Sequence, residues 1–590
     1  MNGPSRRALA LLWGVGRGQI LVLAAATTVG SVVPALQVYL VARTVQQVAN
    51  GIGATGHGGH GPAMVSGVCL AALFAVSHLL SVLRTYQETV LRERMSDAVT
   101  LMIMEKAAGL SLRQFEDAET YDALQRATRE AAFRPYQVFT GFTTVVSSLL
   151  AFLSVGTVLL RGDIPLALAL CLAPLPSALV GLSYGRRTHA VQHARAEDRR
   201  KLVYLEHLLT NDQTYQETRL TDLTALLLGR SRALVDGFHR VDRGIERRQA
   251  VATALSGLVS TLVTGGAVVL ALRTALDTGQ VGALAGYITG IAVVQSSVQT
   301  LFGSATQLYE NNLYLGNLLS FLDLPPDPVT YGAATLPQPL RGGIEFRNVS
   351  FSYPGSTEAV LEDVSFTVPA GSCVALVGRN GAGKSTLLKL LARFYEPRSG
   401  TILVDGKPVT EYDLAELRSG IGAVFQDYLQ YEAPARENIG LGRADRLDDE
   451  QGIRTAAERS GALGFLDDLP NGLDTYLGRW FSGGRQLSGG QWQKVALGRA
   501  FFRNAPIMML DEPTAAIDAA AEAEIFELLR KTGEGSTVLL VAHRFSAVRT
   551  ADHIVVIDGG RVLEQGSHDE LMASPGLYAQ LFQLQAAGYR

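Results

Sequence analysis

Residues 378–385 have the spacing of a phosphate-binding loop, Gly-Arg-Asn-Gly-Ala-Gly-Lys-Ser. The loop follows an apolar run, Cys373–Val377, and precedes a helix predicted over 386–394, which is the context that the motif requires. Glycines let backbone N–H groups approach phosphate oxygens, and the start of a helix adds a positive dipole. We expect Lys384 to reach the β- and γ-phosphates and Ser385 to bind Mg²⁺. The residues expected to hold phosphate here are Gly378, Arg379, Asn380, Gly381, Ala382, Gly383, Lys384, Ser385 and Thr386.

Two carboxylates, Asp511 and Glu512, follow the apolar run 507–510. Ligands of open α/β sheets bind at the carboxyl ends of the strands. We therefore expect Asp511 to hold Mg²⁺, directly or through water, and Glu512 to polarise the attacking water as a general base. Together with the phosphate loop, this pair predicts hydrolysis of a nucleoside triphosphate.

The pentapeptide Leu487-Ser488-Gly489-Gly490-Gln491 precedes a helix predicted over 492–502. A generic phosphate-loop enzyme has no need of it. In these residues the chain resembles the ABC transporter ATPase family, whose signature this pentapeptide is. The resemblance implies ATP and Mg²⁺ as cofactors. It also implies that Ser488, Gly489, Gly490 and Gln491 complete the nucleotide site of a partner subunit.

Four further residues match family elements in the expected order. Tyr353 resembles the aromatic residue that stacks on adenine, and Gln426 resembles the glutamine that senses Mg²⁺ and touches the transmembrane domain. His543 resembles the switch histidine that contacts the γ-phosphate. Asp518 resembles the aspartate of the loop that crosses the dimer, although this loop reads Ala-Ala-Ile-Asp and lacks the usual serine hydroxyl. The resemblance implies catalytic roles for Glu512, His543, Lys384 and Gln426, and metal binding by Ser385, Gln426 and Asp511.

The elements around these motifs alternate between short apolar runs and helical patterns, which predicts a mainly parallel sheet covered by helices. We assign this α/β P-loop ATPase domain to residues 342–590. Five prolines between 323 and 341 mark a linker before it.

Residues 1–322 carry long apolar stretches, and a helix needs about 20 apolar residues to cross a bilayer. Pro174 and Pro176 lie inside the fourth stretch and are expected to kink it. The predicted fold is an α-helical six-span transmembrane domain with long cytoplasmic helical extensions, followed by the ATPase domain. The expected spans are 19–42, 63–84, 139–160, 164–184, 251–272 and 281–303.

The connections on one side of the membrane are short, whereas the loops 85–138 and 185–250 are long. Positive charge next to the spans marks the cytoplasmic side, so the long loops and both termini are predicted to be cytoplasmic. Their turning points, near 115–121 and 211–219, are candidate contacts to the ATPase domain. The basic residues flanking spans four and five are Arg186, Arg187, Arg195, Arg199, Arg200, Lys201, Arg240, Arg243, Arg247 and Arg248.

Polar residues within the spans have two interpretations. His78 and Gln295 could line a substrate cavity, or they could make helix–helix hydrogen bonds. His57 and His60 lie in a glycine-rich outer loop that could bind a metal, although a flexible polar loop is the simpler interpretation. The net charge of −3 gives no indication of nucleic-acid binding.

Six spans before one ATPase domain resemble an exporter-type half-transporter working as a dimer with membrane lipid around it. A homodimer is expected, and a heterodimer with another half-transporter is the alternative. The segment 477–486, with 425–428 and Tyr431-Glu432, looks like exporters of modified peptides such as lanthipeptides. Little chain precedes the first span, so we expect no peptidase domain there.

The predicted function is ATP-driven export of a peptide or other amphipathic substrate across the cytoplasmic membrane by alternating access. A multidrug or lipid exporter is the second interpretation. An ATP-gated channel or a membrane sensor is the interpretation from another class.

Overall fold

Long apolar helices form the first half of the chain in the computed structural model, which describes residues 3–53, 60–130, 134–161, 163–326, 332–513, 536–542 and 548–588. These helices belong to a helical unit made of Met1–Leu110 and Asp117–Pro326. The helices described up to residue 326 are α1 (Gly3–Gly53), α2 (His60–Ala108), α3 (Leu112–Glu116), α4 (Ala118–Glu130), α5 (Arg134–Leu160), α6 (Ile164–Leu172), α7 (Leu175–Ala194), α8 (Ala196–Thr210), α9 (Asp212–Leu220), α10 (Thr224–Thr278) and α11 (Val281–Leu322).

Six of these helical segments are long and apolar enough to cross a membrane, which agrees with the predicted number of spans. Helices α2 and α10 contain 49 and 55 residues. At 1.5 Å per residue they are about 74 and 83 Å long, more than twice the ~30 Å of a hydrocarbon core. They therefore continue well beyond a bilayer, as expected. The six segments are Trp13–Ile52, Gly61–Ala108, Arg134–Leu160, Ile164–Gly185, Thr224–Thr278 and Val281–Leu322.

The fourth span is interrupted where the prolines predicted a kink. Helix α6 ends at Leu172 and α7 begins at Leu175, so the break falls at Pro174. At the start of α6, Asp163 accepts a hydrogen bond from the backbone N of Leu166 at 3.4 Å. Pro174 has no backbone N–H to donate to the helix before it, and this missing hydrogen bond explains the interruption between α6 and α7.

Helices α1, α5 and α11 contribute to both apolar cores of the helical unit. Helices α2 and α4 complete one core, and α6 and α10 complete the other. α1 and α11 approach closely at Gly282, where a Cβ would lie 2.3 Å from the carbonyl oxygen of Ala42. Gln46 accepts a hydrogen bond from the backbone N of Gly282 at 2.8 Å, which fixes this contact. Helix α2 is the least covered span, since only 6% of its most apolar window is buried. Most of the apolar surface of this window is thus exposed in the single chain.

The second unit contains Ser111–Glu116 and Asp327–Arg590, and two sheets organise it. The larger sheet has the order β10-β9-β3-β8-β7-β6, in which β9, β3, β8, β7 and β6 are parallel and β10 is antiparallel at the edge. The smaller sheet, β2-β1-β4-β5, is antiparallel. The strands are β1 (Ile344–Phe351), β2 (Leu361–Val368), β3 (Cys373–Val377), β4 (Ser399–Val404), β5 (Lys407–Pro408), β6 (Ile421–Val424), β7 (Ile507–Asp511), β8 (Thr537–Val541), β9 (His553–Asp558) and β10 (Arg561–Gly566).

The α/β class is confirmed, and the separate antiparallel sheet is an addition that the sequence did not predict. Its strands β1 and β4 pair although about 50 residues separate them, and nothing local encodes that pairing. Apolar cores lie on both faces of the large sheet, because its central strands are buried almost completely. The helices described in this part are α12 (Lys384–Leu391), α13 (Leu414–Ser419), α14 (Ala435–Gly440), α15 (Glu450–Arg459), α16 (Leu463–Asp467), α17 (Gly489–Arg503), α18 (His568–Ala573) and α19 (Leu577–Gly588).

Candidate nucleotide site

The phosphate loop connects β3 to α12 and contains three glycines with positive φ. Gly378, Gly381 and Gly383 have φ angles of 156°, 79° and 98°. A Cβ at Gly378 would lie 1.9 Å from the carbonyl oxygen of Ile557, so the loop backbone packs directly against β9. Helix α12 begins at Lys384, two residues before the predicted start, and its N-terminus therefore faces the loop.

Lys384 folds over this loop. Its Nζ donates to the carbonyl oxygens of Gly378 and Arg379, both at 2.9 Å. Burial lowers the pKa of the Lys384 ammonium, and the carboxylates of Glu512 and Asp511 act in the opposite direction. A buried cation whose hydrogen bonds go to carbonyl oxygens is well placed to exchange them for phosphate oxygens, which bear a full charge.

Glu512 has an unusual backbone conformation, with φ at 51°. Most other residues with positive φ are Asn or Asp, which tolerate this region, whereas a glutamate there is strained. Such strain costs about 1–3 kcal/mol and concentrates at functional sites. The left-handed non-glycine residues are Asp222, Asn348, Asp363, Arg393, Asp405, Asn504 and Glu512.

Two backbone contacts hold Glu512 in place. Its N–H donates to the carbonyl oxygen of Val541 at 3.0 Å, and its own carbonyl oxygen accepts from Nε2 of Gln493 at 3.2 Å. Gln493 lies on α17 and is buried. The sequence did not identify Gln493, whose only signal is its position two residues after the signature pentapeptide.

The order of the large sheet brings the predicted residues to one edge. Strands β3, β8, β7 and β6 are successive parallel neighbours, so their carboxyl ends meet. The phosphate loop follows β3, the buried Asp511 ends β7, and the exposed Gln426 follows β6 by two residues. A hydroxyl from Ser385, a carboxylate and an amide are oxygen donors that suit Mg²⁺. The predicted residues His543 and Asp518 lie outside the described part of the chain.

Tyr353 lies beside the loop helix. Its hydroxyl is 3.0 Å from Oγ1 of Thr386, within hydrogen-bond distance. Its ring packs edge-on against Phe351 and Tyr395, with centroids 5.1 and 5.4 Å apart, and Nζ of Lys389 lies 5.6 Å from its centroid. The residue is half-buried, so part of it remains accessible to solvent.

Tyr395 links this aromatic group to α3, the short helix from the first long loop. Its hydroxyl donates to the carboxylate of Glu116, and Leu112 of the same helix packs against the core of the second unit. Burial, together with the Glu116 carboxylate, raises the pKa of Tyr395. The hydroxyl therefore stays protonated and remains a donor at neutral pH. Glu116 lies in the turning point near 115–121, which the sequence indicated as a candidate contact, whereas nothing in the sequence indicated Tyr395.

The signature pentapeptide forms the N-terminus of α17. Ser488 is the N-cap and accepts from the backbone N of Gln491 at 3.3 Å, while Oε1 of Gln491 accepts from the backbone N of Ser488 at 3.0 Å. This capping box holds the exposed Ser488 at the helix start, where the dipole favours anions. The hydroxyl of Tyr428 donates to the carbonyl oxygen of Gly489 at 2.8 Å and ties the segment after Gln426 to this helix.

The segment 476–485 before the signature is an ordered loop. The backbone N of Gly478 donates to the carbonyl oxygen of Arg485 at 2.8 Å, and the carboxylate of Glu432 accepts from the backbone N of Trp480 at 3.4 Å. The two segments that the sequence grouped, 477–486 and Tyr431-Glu432, therefore meet. The Trp480 side chain is 86% exposed, so the loop presents it to solvent.

In the described part of the chain, the polar residues predicted within the spans do not form one site around Gln295 and His78. Gln295 donates to Oγ1 of Thr264 at 3.3 Å, which is the helix–helix interpretation of that residue. His78 is exposed on α2. His57 lies outside the described residues, and within the described ones no group of three or more His, Cys, Asp or Glu side chains is arranged to hold a metal ion.

Comparison with known proteins adds three findings. Residues 361–515 match a family model described as ABC transporter. The chain is 33% identical over 480 residues to the subtilin transport ATP-binding protein SpaT of Bacillus subtilis, covering 81% of this chain and 78% of SpaT. It is 37% identical over 337 residues to an ATP-dependent lipid A-core flippase of Bordetella avium, covering 57% of this chain and 56% of the flippase.

A solved structure is similar over nearly the whole chain. The structure of a bacterial Atm1-family ABC exporter with ATP bound superposes with a TM-score of 0.76 and 25% sequence identity. The match covers 97% of this chain and 99% of that exporter. Both the helical and the nucleotide-binding parts thus have their counterparts in one exporter chain.

Proposed function

Because this chain belongs to the ABC transporter family and is an ATP-driven, multi-pass membrane exporter, we propose that it exports a peptide or another amphipathic molecule as a homodimer. A heterodimer with another half-transporter is the alternative. The domain division proposed with it is 1–322 for the transmembrane domain, 323–341 for the linker and 342–590 for the nucleotide-binding domain.

One observation carries this proposal: a segment of the first long loop is part of the nucleotide-binding unit. Glu116 of α3 accepts from Tyr395, Tyr395 packs on Tyr353, and Tyr353 contacts Thr386 of the loop helix. A change in how nucleotide occupies the site would therefore reach α3, a short helix in the loop between the second and third spans. Such a path is what conversion of ATP binding and hydrolysis into movement of the spans requires.

In the proposed site each residue has a role in hydrolysis. The phosphate loop and Lys384 hold the phosphates, and Ser385 and Asp511 with Gln426 supply the oxygen donors for Mg²⁺, which would neutralise the phosphate charge. Glu512 orients and deprotonates the attacking water, and Gln493 fixes its backbone. The roles assigned to Tyr353 and His543, adenine stacking and γ-phosphate contact, rest on the family resemblance alone.

The position of the signature supports the proposed dimer. Ser488 caps α17 at an exposed surface, so its hydroxyl and the helix dipole are available to the γ-phosphate on a second chain. The remaining signature residues Gly489, Gly490 and Gln491, together with Asp518, are proposed to take part in the same contact. The exposed apolar surface of α2 supports association of the helical units as well.

The orientation is proposed from charge. Arginines flank the ends of the spans next to the long loops, and positive residues favour the cytoplasmic side. Both termini and the nucleotide-binding domain are then cytoplasmic, where ATP is available.

Among substrates, a peptide is favoured because SpaT is named for subtilin transport and matches over most of its length. A lipid is the second candidate, since the flippase of Bordetella avium also matches, although over a smaller share of both chains. An ATP-gated channel or sensor is disfavoured by the strained Glu512, because a site that only binds nucleotide has no need of a positioned base.

The test is Glu512→Gln in the purified full chain reconstituted in lipid. We expect ATP binding to persist while hydrolysis falls by about 10²–10⁴-fold, the usual contribution of a general base. The matched control is Glu458→Gln, which removes an exposed carboxylate on α15 and should hydrolyse ATP normally. Normal turnover in Glu512→Gln would refute the assignment of the base.

The substrate is tested separately, by the ATPase rate of the wild-type chain in lipid against matched panels of amphipathic peptides and lipids. Stimulation by peptides together with their ATP-dependent uptake into inverted vesicles is expected. Uptake of lipid alone would replace peptide by lipid as the substrate class.

A further inference from the structure

A cavity of about 610 Å³ lies in the helical unit, between α7 and α10. This volume falls within the usual range for ligand sites, about 300–1,000 Å³. One wall is Tyr184 of α7, and the rest comes from α10. The described lining residues are Tyr184, Gly244, Arg247, Arg248, Val251, Ala252 and Leu255.

The charge of this cavity has one sign. Arg247 and Arg248 line it, and none of its seven described lining residues is acidic. Across the described residues, neither guanidinium has a carboxylate within ion-pair distance. Arg187 does not line the cavity, but its guanidinium lies 5.3 Å from the centroid of the Tyr184 ring and adds positive charge beside it. The cavity is therefore a concentration of positive charge without an internal counter-ion.

The cavity also crosses the boundary between charged and apolar sequence. Arg247 and Arg248 end the charged part of α10, and Val251 begins the apolar stretch that enters the membrane. Arg247 and Val251 are four residues apart and Arg248 and Leu255 seven apart, so they share one helix face. About 12 Å of helix separates Arg247 from Leu255, enough to place a headgroup at one end and a hydrocarbon chain at the other.

We propose that this cavity binds an anionic phospholipid, with its phosphate on Arg247 and Arg248 and one acyl chain along Val251 and Leu255. The lipid comes from the leaflet next to the charged half of α10, which is the cytoplasmic one in the orientation proposed above. Basic cavities between transmembrane helices on that side are suited to anionic headgroups. Bound there, the lipid contacts both α7 and α10 and holds the two helices together. This site is independent of which substrate is exported.

The probe is dioleoylphosphatidylglycerol, titrated against the full chain in neutral detergent and measured by native mass spectrometry, with the zwitterionic dioleoylphosphatidylcholine as the comparison lipid. Removing both charges in Arg247→Gln/Arg248→Gln should weaken binding of the anionic lipid about 30-fold. Gly244→Phe places a large apolar side chain at the cavity lining without changing the charge, at a position where a Cβ meets nothing within 4 Å. It should weaken binding at least about tenfold.

The matched control is Arg240→Gln/Arg243→Gln, which removes the same charge from α10 outside the cavity and should change affinity by less than about threefold. ATPase activity of every variant in phosphatidylcholine alone reports that it is folded. Binding of Gly244→Phe at wild-type affinity would mean that the arginines attract lipid only as surface charge, and would overturn the proposal. Equal affinity for the two lipids, or displacement of the lipid by glycerol phosphate at similar concentration, would overturn it too.

Discussion

Tyr395→Phe isolates the hydrogen bond that joins α3 to the aromatic residues beside the nucleotide site. The substitution removes the hydroxyl that donates to Glu116. It keeps the ring, which packs at 5.4 Å from both Tyr353 and Phe351. Leu112 and the covalent chain would still attach helix α3, while the nucleotide site keeps its packing.

The expected size follows from the geometry. Hydrogen bonds to charged groups contribute about 1.5–3 kcal/mol to stability. Because the Glu116 side chain is exposed, we discount this to about 1–2 kcal/mol for the attachment of α3. That free energy corresponds to about a 5- to 30-fold shift toward the detached state of the segment Ser111–Glu116.

Hydrogen exchange of the full chain in lipid nanodiscs measures this shift directly. Within α3, the backbone N of Phe115 donates to the carbonyl oxygen of Ser111 at 3.0 Å, so its amide is protected only while the helix is formed. In Tyr395→Phe we expect this amide to exchange about 5- to 30-fold faster. We expect substrate-stimulated ATPase activity to fall more than basal activity, since the path to the spans is weakened.

Tyr412→Phe is the matched control. Tyr412 is buried in the same unit, and its hydroxyl donates to the carbonyl oxygen of Val404 at 2.8 Å, away from α3. The Tyr412→Phe variant loses a comparable hydroxyl hydrogen bond but leaves the contacts of Ser111–Glu116 unchanged. If α3 exchanges equally fast in Tyr395→Phe and in the wild type, or equally fast in both variants, the link through Tyr395 is refuted.

Three further predictions concern the nucleotide-binding unit. Gly378→Ala should unfold at a clearly lower temperature and bind ATP poorly, since its Cβ meets a backbone oxygen. Gly381→Ala should lose only the ~1–2 kcal/mol of a left-handed residue, because nothing lies within 4 Å of its Cβ. Equal melting temperatures of the two variants would contradict this. Because burial lowers the pKa of Lys384, its charge is lost at a lower pH than that of an ordinary lysine. Affinity for a non-hydrolysable ATP analogue should therefore fall as pH rises through that lowered pKa. An affinity that stays unchanged up to the pH at which an ordinary lysine titrates would contradict this prediction. Burial and Asp552 raise the pKa of Cys373 to about 12, so about one thiol in 10⁴ is ionised at pH 8. Maleimide should therefore label Cys373 rapidly only after unfolding. The labelling is measured in a variant with the other two cysteines replaced by serine.

The sequence alone determined much of the chemistry, because each motif consists of residues that are close together in the chain. The phosphate loop, the strand ending in Asp511 and the cap at Ser488 are each encoded within a few consecutive residues. The number of spans was equally readable, because about 20 apolar residues suffice to indicate a crossing. The break at Pro174 followed from one missing N–H group.

Tertiary structure decided what depends on contacts between distant residues. Tyr395 and Glu116 are 279 residues apart, and no local pattern pairs a tyrosine with a glutamate over that distance. The support of Glu512 by Gln493 and the cavity between α7 and α10 likewise exist only after strands and helices have packed. A backbone strain such as that at Glu512 is imposed by neighbouring strands, so it has no signature in the residue type itself. The sequence determines which functional groups are present. Tertiary packing determines which distant residues these groups contact.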